Sequence, residues 1–359
     1  MQDRISRAHR IARMAAVPLQ PVVDPAGWRP EEIGANEDWV YRFDAREIAE
    51  IMDSVRAIEA SGRPLLKIGE EDFPLPRTAD ALRGIYAELR DGRGLVQMRG
   101  LPAAEMNRLQ QAIALWGIGT YFGTAVSQNA AGHMLAHVKD MGKDYDDPFT
   151  RAYQTKAVLN FHCDPCDMVA LFCIHEAKSG GASRVCSSVT LYNEILKRRP
   201  DLAGDLCSDF AWTRHGEVSP GMKPWYEMPV FSFTDGYLGV RGAGSVAKKA
   251  LVLPGVAPWS AKRQEAVKLF QQLADELAAE LPFQLGDLQI LNSHVTVHSR
   301  RAYEDWEDPA RKRHLMRLWL QNDDLRPVDD LIRQHYSGIE LDSFVPKAPL
   351  EAEAEAEVD

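Results

Sequence analysis

The chain reads as an α+β protein, mainly β, in which short strands form a sandwich or jelly roll and helices pack outside. Three observations carry this reading. Strand-like apolar runs at 169–175, 184–188, 228–240, 286–291 and 314–320 are separated by Gly and Pro turns at irregular spacing, the pattern of a sandwich and not of repeated strand–helix–strand units. The clearest helical stretch, 260–281, has apolar residues at helical spacing (Ala266, Val267, Leu269, Phe270, Leu273, Leu277, Leu281), which suits a helix lying on the outside of a sheet. Neither an internal repeat nor a linker splits the chain, so one domain with helical flanks is expected.

In chain order, residues 16–44 are rich in Pro, Trp and acidic residues without a period and read as an irregular wrapping segment. The spacing of Ile48, Ile51, Met52, Val55 and Ile58 predicts a helix from Asp44 to about Ala60, stopped by Gly62 and Pro64. A short strand is expected at 64–68, a helix at 79–90, a strand at 95–99 and a helix at 103–116. Residues 117–155 are polar and glycine-rich and read as a loop that could serve as a lid. A helix is expected at 190–199, ended by Pro200. The expected organisation is an N-terminal extension over 1–90 packed on the core, a β domain over 91–345 and a disordered acidic tail over 346–359.

The formal charge is −10, but the Glu-Ala tail from Glu351 to Asp359 supplies five of those charges and leaves the body at −5. A nucleic-acid partner wants a concentrated basic face, so none is expected. No segment approaches the roughly eighteen apolar residues of a membrane span, and the first fifteen residues carry Arg4, Arg7, Arg10 and Arg13 without an apolar signal core. A cytoplasmic protein with a solvated N-terminal helix is the expectation, with homo-oligomerisation left open. Of five cysteines, Cys163, Cys166, Cys173 and Cys186 fall close together. Cys163 and Cys166 form C-x-x-C, but no second pair completes a zinc site and a strand-like run follows where a thioredoxin-like site wants a helix, so reduced packing thiols are expected.

The run LNFHCDPC at 159–166 places His162 and Asp164 two residues apart in strand-like sequence. Side chains at i and i+2 of a strand share a face, so an imidazole and a carboxylate can converge on one metal ion. Two His and one carboxylate on one face of an octahedron is the donor set of non-haem Fe(II) oxygenases. Downstream, His298 stands where an inward strand residue is expected, with His294 as runner-up. Arg313 and Arg317 follow on one predicted strand, four apart and therefore on the same face. Inward arginines on an apolar strand need anions, either protein carboxylates or a ligand's.

His162-Cys-Asp164, Gly180-Gly181-Ala-Ser183, Gly286-Asp287, Val297-His298-Ser-Arg300 and Arg313-x-x-x-Arg317, in that order over about residues 90–322, resemble the taurine dioxygenase (TauD/TfdA-like) family of Fe(II)- and 2-oxoglutarate-dependent oxygenases. The resemblance implies a double-stranded β-helix (cupin-like jelly roll) with outer helices. It implies that His162, Asp164 and His298 bind Fe(II), that Arg313 grips the distal carboxylate of 2-oxoglutarate with help from the Ser183 hydroxyl, and that Arg317 contacts an acidic group of the substrate. Departures are Ser in place of Thr at 183, the long stretch between His298 and Arg313, and the N-terminal extension.

The activity so implied uses O2 and 2-oxoglutarate, releases succinate and CO2, and oxidises an unactivated C–H bond of a small carboxylate- or amino-acid-like molecule. Asp164 fills the position a halide takes in a halogenase, so hydroxylation is the default outcome. Asn160 and His133, with Gln128, Asn129 and Tyr153, are the candidates for the rest of the substrate pocket. A zinc-dependent hydrolase using the same His-Asp-His set and a non-catalytic jelly-roll binding protein are the competing readings.

Overall fold

The computed structural model describes residues 11–143, 152–156, 158–339, 341 and 344–352. Two sheets face one another. The larger runs Val40–Arg42, Leu95–Arg99, Leu288–Asn292, Met168–His175 and His314–Gln321, and both Thr124–Val126 and Leu135–Val138 pair with that last strand. The smaller runs Ala279–Leu281, Ser183–Ser187, Thr296–Arg300 and Leu159–His162. Every pairing is antiparallel except Val40–Arg42 with Leu95–Arg99. This is the jelly roll expected from the strand pattern.

The alternation of strand residues sorts the core into layers. On the central strands Ala170, Phe172, Ile290, Met316 and Leu318 point outward, into a core shared with the helices Ala45–Ser61, Ala79–Asp91 and Arg108–Gly119. Their neighbours Val169, Leu171, Leu291, Leu315 and Trp319 point inward and meet Val185, Ala279 and Leu281 of the smaller sheet. On that sheet's far side Phe161, Cys163, Cys186 and Val297 pack with the helices Ser188–Arg198, Pro200–Leu206 and Ala261–Glu276. Each fully buried Leu, Ile, Val or Phe contributes about 1.5–3 kcal/mol relative to exposure.

Local chemistry sets the helix Ala45–Ser61. The Asp44 side chain accepts from the amides of Arg46 and Glu47 while Glu47 accepts from the Asp44 amide, a reciprocal cap. Gly62 closes the helix with φ 66°. The helix packs into the same core as the central sheet.

Several expectations are corrected. Residues 64–68 form a 3-10 turn, Leu65–Lys67, and not a strand, because Pro64 starts a tight turn that Leu65 closes through the Ile68 amide. Pro200 does not merely end a helix: with no amide to satisfy it opens the next one, Pro200–Leu206. The helix expected over 260–281 stops at Glu276, and Ala279–Leu281 turns into an edge strand.

The stretch 117–155 is no detached lid. Its two short strands join the larger sheet, Leu135–Val138 pairing with residues 315–318, while residues 144–151 lie outside the described ones. Of the N-terminal arginines, Arg4, Arg7 and Arg10 also lie outside. Arg13 is not on a solvated helix; it lies in irregular chain and binds Asp24 at 2.9 Å, and Asp24 also pairs with the buried Arg326. The acidic tail begins later than expected. Lys347 pairs with His133, the Pro349 carbonyl accepts from His137 Nε2 at 2.9 Å, and Ala352 is buried.

Candidate metal and cosubstrate site

His162 ends one strand of the smaller sheet and lies directly across from His298 on the neighbouring antiparallel strand. The register brings their rings to 4.4 Å between centroids. Phe161 and Cys163 face the outer helices, so His162 faces the space between the sheets, and with it Asp164. His162 Nδ1 hydrogen-bonds the Asn160 carbonyl at 2.8 Å. A carbonyl only accepts, so the proton is on Nδ1 and the Nε2 lone pair is left for a metal.

Asp164 is buried. Its Oδ1 accepts from Arg317 Nη1 at 3.3 Å, whereas Oδ2 has no hydrogen-bond partner and stands 3.8 Å from His298 Nε2. Burial raises the Asp164 carboxyl pKa, but Arg317, His298 and His162 outweigh it and hold it below its usual value. Burial depresses both imidazoles, His298 to about 3 with His162 adding to the effect, so both are neutral bases at pH 7. Among the described residues no three His, Cys, Asp or Glu groups stand in closed metal-holding geometry. An orphaned buried carboxylate oxygen beside two neutral imidazoles fits a divalent transition metal such as Fe(II).

These side chains line a cavity of about 660 Å³, into which Arg313, Arg300 and Arg317 also reach. Arg313 is 4% exposed, its Nη2 makes only a long 3.4 Å contact to the Gly181 carbonyl and its Nη1 has no partner. Burial and the nearby Tyr303 ring shape its setting. Leaving a guanidinium nitrogen buried without an acceptor costs about 1–3 kcal/mol or more, so this end of the cavity is built for an anion. The Gly180-Gly181 pair makes room for it. Both glycines have φ above 70°, and a Cβ on Gly181 would lie 3.1 Å from Arg313 Nε. Arg300 is held to the Thr155 carbonyl at 2.7 Å, with its pKa depressed to about 10 by burial and Arg313.

Ser183 lines the cavity, but its hydroxyl donates to Gln289 Oε1 at 3.0 Å. Gln289 donates to Gln97, Gln97 donates to Asp287, and Asp287 accepts from Arg99 Nε and Nη2. This buried chain accounts for Gly286-Asp287 as structure. Arg317 reaches the cavity on the same face as Leu315 and Trp319, but Gln128 Oε1 takes its Nε at 2.7 Å, Asp164 takes Nη1, and Tyr153 and Trp319 lie against its plane. Only Nη2 is without a partner. Gln128 therefore sits behind Arg317 and clamps it.

Asn160 and Tyr153 line the cavity; His133 does not. His133 is 1% exposed and occupied by Asn129, because the turn that holds it pairs with Lys347. His294, the runner-up ligand, bonds Asp167 at 2.7 Å and stacks on Tyr336, a satisfied core histidine. All five cysteines are free, and burial pushes the Cys163 thiol up to about 12, so C-x-x-C is inert packing.

The sequence reading missed the far wall of the cavity. Arg214, Tyr226, Arg241 and His335 line it, from the loop after Asp209–Thr213, the strand Trp225–Pro229, the residue after Tyr237–Val240 and the helix Asp330–Tyr336. No spacing rule links four positions spread over some 120 residues; only the fold assembles them.

Residues 61–319 match the family model of the taurine catabolism dioxygenase TauD, TfdA family. A relative from Streptomyces rubellomurinus, FR-33289 synthase, is 29% identical over 91% of this chain and 98% of its own. An asparagine oxygenase structure, in complex with Fe(II), 3-hydroxyasparagine and succinate, superposes with a TM-score of 0.59 at 15% identity, covering 84% of this chain and 99% of that one. The non-haem iron oxygenase OrfP, in complex with Fe and α-ketoglutaric acid, does so with 0.58 at 15%, covering 79% and 94%. At such identities these two speak for the fold.

Proposed function

The chain belongs to the TauD, TfdA family and is an Fe(II)- and 2-oxoglutarate-dependent oxygenase; from that premise we propose that His162, Asp164 and His298 hold the iron and Arg313 holds the cosubstrate's distal carboxylate. The carrying observation is the pair of complementary orphans in one cavity, Asp164 Oδ2 wanting a cation and Arg313 Nη1 wanting an anion. Iron with 2-oxoglutarate and O2 supplies oxidation of an unactivated C–H bond, releasing succinate and CO2.

The chain's own residues have four tasks. His162 is locked by Asn160 to present Nε2. Arg317, clamped by Gln128, positions Asp164 and keeps it ionised, with Nη2 left for an anionic ligand near the metal. Arg313 offers a fork that suits a carboxylate. The apolar wall of Leu171, Leu315 and Trp319 keeps bulk water from the reacting carbon.

The substrate of this reading is a small anionic molecule, amino-acid-like or carboxylate-bearing, and hydroxylation is the expected outcome with Asp164 in place. The hydroxylated amino acid bound to the asparagine oxygenase supports that class. The test is an anaerobic titration of Fe(II) and 2-oxoglutarate into the protein, followed by a substrate screen read as succinate release. A weak visible charge-transfer band that vanishes in Asp164→Ala supports the reading; zinc-dependent hydrolysis without 2-oxoglutarate consumption overturns it.

A further inference from the structure

The cavity is cationic although the chain is acidic. Arg214, Arg241, Lys249, Arg300, Arg313 and Arg317 line it against the carboxylates of Asp164 and Glu217. Iron and 2-oxoglutarate carry opposite double charges and leave that excess as it is. Part of it is concentrated on the wall away from Arg313.

There Tyr226 stands between two guanidiniums. Arg241 Nη2 donates to its hydroxyl at 3.0 Å, and the Arg214 guanidinium lies 5.0 Å over its ring. His335 stacks on that ring at 3.8 Å. Arg241 is 7% exposed, its Nη1 donates to the Cys163 carbonyl at 3.2 Å, and its Nε has no partner. Arg214 Nε is likewise buried without a partner. Among the described residues neither arginine forms an ion pair with a carboxylate. Contact with an aromatic face offsets only part of what an uncompensated buried charge costs. Arg241 is in that condition and the partly exposed Arg214 stands on the same tyrosine, so the pair is set to take an anion that is not part of the protein. Both also depress His335, to about 4 with burial as the main cause, which places them close to one point of the wall.

We propose that the substrate carries a doubly charged, phosphate-type oxyanion and that Arg214 and Arg241 bind it across Tyr226, at the wall next to Cys163. This deepens the oxygenase reading and rests on it for the identity of the anion as substrate. It also fixes the polarity of binding: the anionic head lies on the Arg214 wall, and the bond to be oxidised lies toward His162 and His298. The contact of Arg241 with the Cys163 carbonyl, between two of the proposed iron ligands, keeps the head group within a few bonds of the metal.

The test uses the full-length protein with Fe(II) and saturating 2-oxoglutarate under argon, so that Arg313 is already occupied. Inorganic phosphate, sulfate and acetate are titrated at constant ionic strength and followed by calorimetry and by the thermal midpoint. Phosphate is expected to bind beside 2-oxoglutarate and more tightly than acetate. Arg214→Ala is expected to weaken it at least tenfold, Arg214→Lys to restore part of the loss, and the 2-oxoglutarate visible band to persist in both. The partly exposed Arg214 has no side-chain hydrogen bond to lose, and Arg214→Gln provides a second neutral variant. Unchanged phosphate affinity in Arg214→Ala, displacement of phosphate by 2-oxoglutarate, or acetate binding as tightly as phosphate would each overturn the proposal. If the visible band is missing from the unaltered protein, the oxygenase reading has failed instead, and the Arg214 dependence of phosphate binding is still read.

Discussion

Among the described residues two histidine pairs bring their rings together across strands, and they are chemically opposite. His162 and His298 face the cavity beside a carboxylate oxygen that has no partner. His137 and His314 face each other on the larger sheet, joined Nδ1 to Nε2 at 2.7 Å, with His137 Nε2 donating to the Pro349 carbonyl. Burial keeps His162, His298 and His314 neutral. Donor type and strand placement do not separate a metal-ready pair from a structural one. What separates them is whether the second nitrogens are already used and whether an acid stands beside them.

The largest expected effect breaks the first pair. His298→Ala or Asp164→Ala should abolish iron-dependent succinate release and the Fe(II)–2-oxoglutarate band, while His137→Leu leaves both in place; loss of the band in His137→Leu would erase the distinction. Next is Arg313→Ala, which removes one partner of a buried charge pair and should cost about 2–5 kcal/mol in 2-oxoglutarate binding, or roughly 30- to several-thousand-fold, read by anaerobic titration. Arg317→Ala should weaken iron by about 10–100-fold, because Arg317 acts through Asp164. A change in substrate affinity alone, with iron binding intact, would return Arg317 to a purely substrate-binding role.

Smaller effects fall on stability. His137→Leu leaves His314 Nε2 and the Pro349 carbonyl without their partner and should cost about 1–3 kcal/mol, seen as a lower thermal midpoint. Acid should act on both pairs. A buried histidine with a depressed folded pKa takes up its proton more readily when unfolded, so stability is full above about pH 6.5 and falls as pH drops below it. Each such residue contributes a slope of about 1.4 kcal/mol per pH unit until its own folded value is reached, about 3 for His298. Denaturant midpoints of the metal-free protein from pH 7.5 to 5 should show that slope, and His314→Gln should lessen it without altering the pH dependence of iron loading.

Much of the fold and of the candidate site was legible because each depends on local spacing. Strand alternation gave the sandwich its layers and predicted His162 and Asp164 on one face, although the strand itself ends at His162, and the five ordered motifs named His298 and Arg313 with them. The same logic overreached at 117–155. Polar, glycine-rich sequence reads as loop, but Leu135–Val138 finds its partner in a strand some 180 residues away, and no local signal reports that pairing. His133 failed as a pocket residue for a similar reason: its burial is decided by a contact with Lys347 near the other end of the chain.

The sequence by itself determined the secondary-structure period, the layered sandwich, the His-x-Asp pair with its distal histidine, and the presence of inward arginines. These follow from side-chain direction and from charge, which are properties of short segments. Only the tertiary structure decided which arginine serves which partner. It gave Arg317 to Asp164 and Gln128, left Arg313 open at the Gly181 turn, and brought Arg214 and Arg241 to one tyrosine. A guanidinium's role is set by whichever acceptor lies within about 3 Å of it, and that neighbour is supplied by folding, not by the chain on either side.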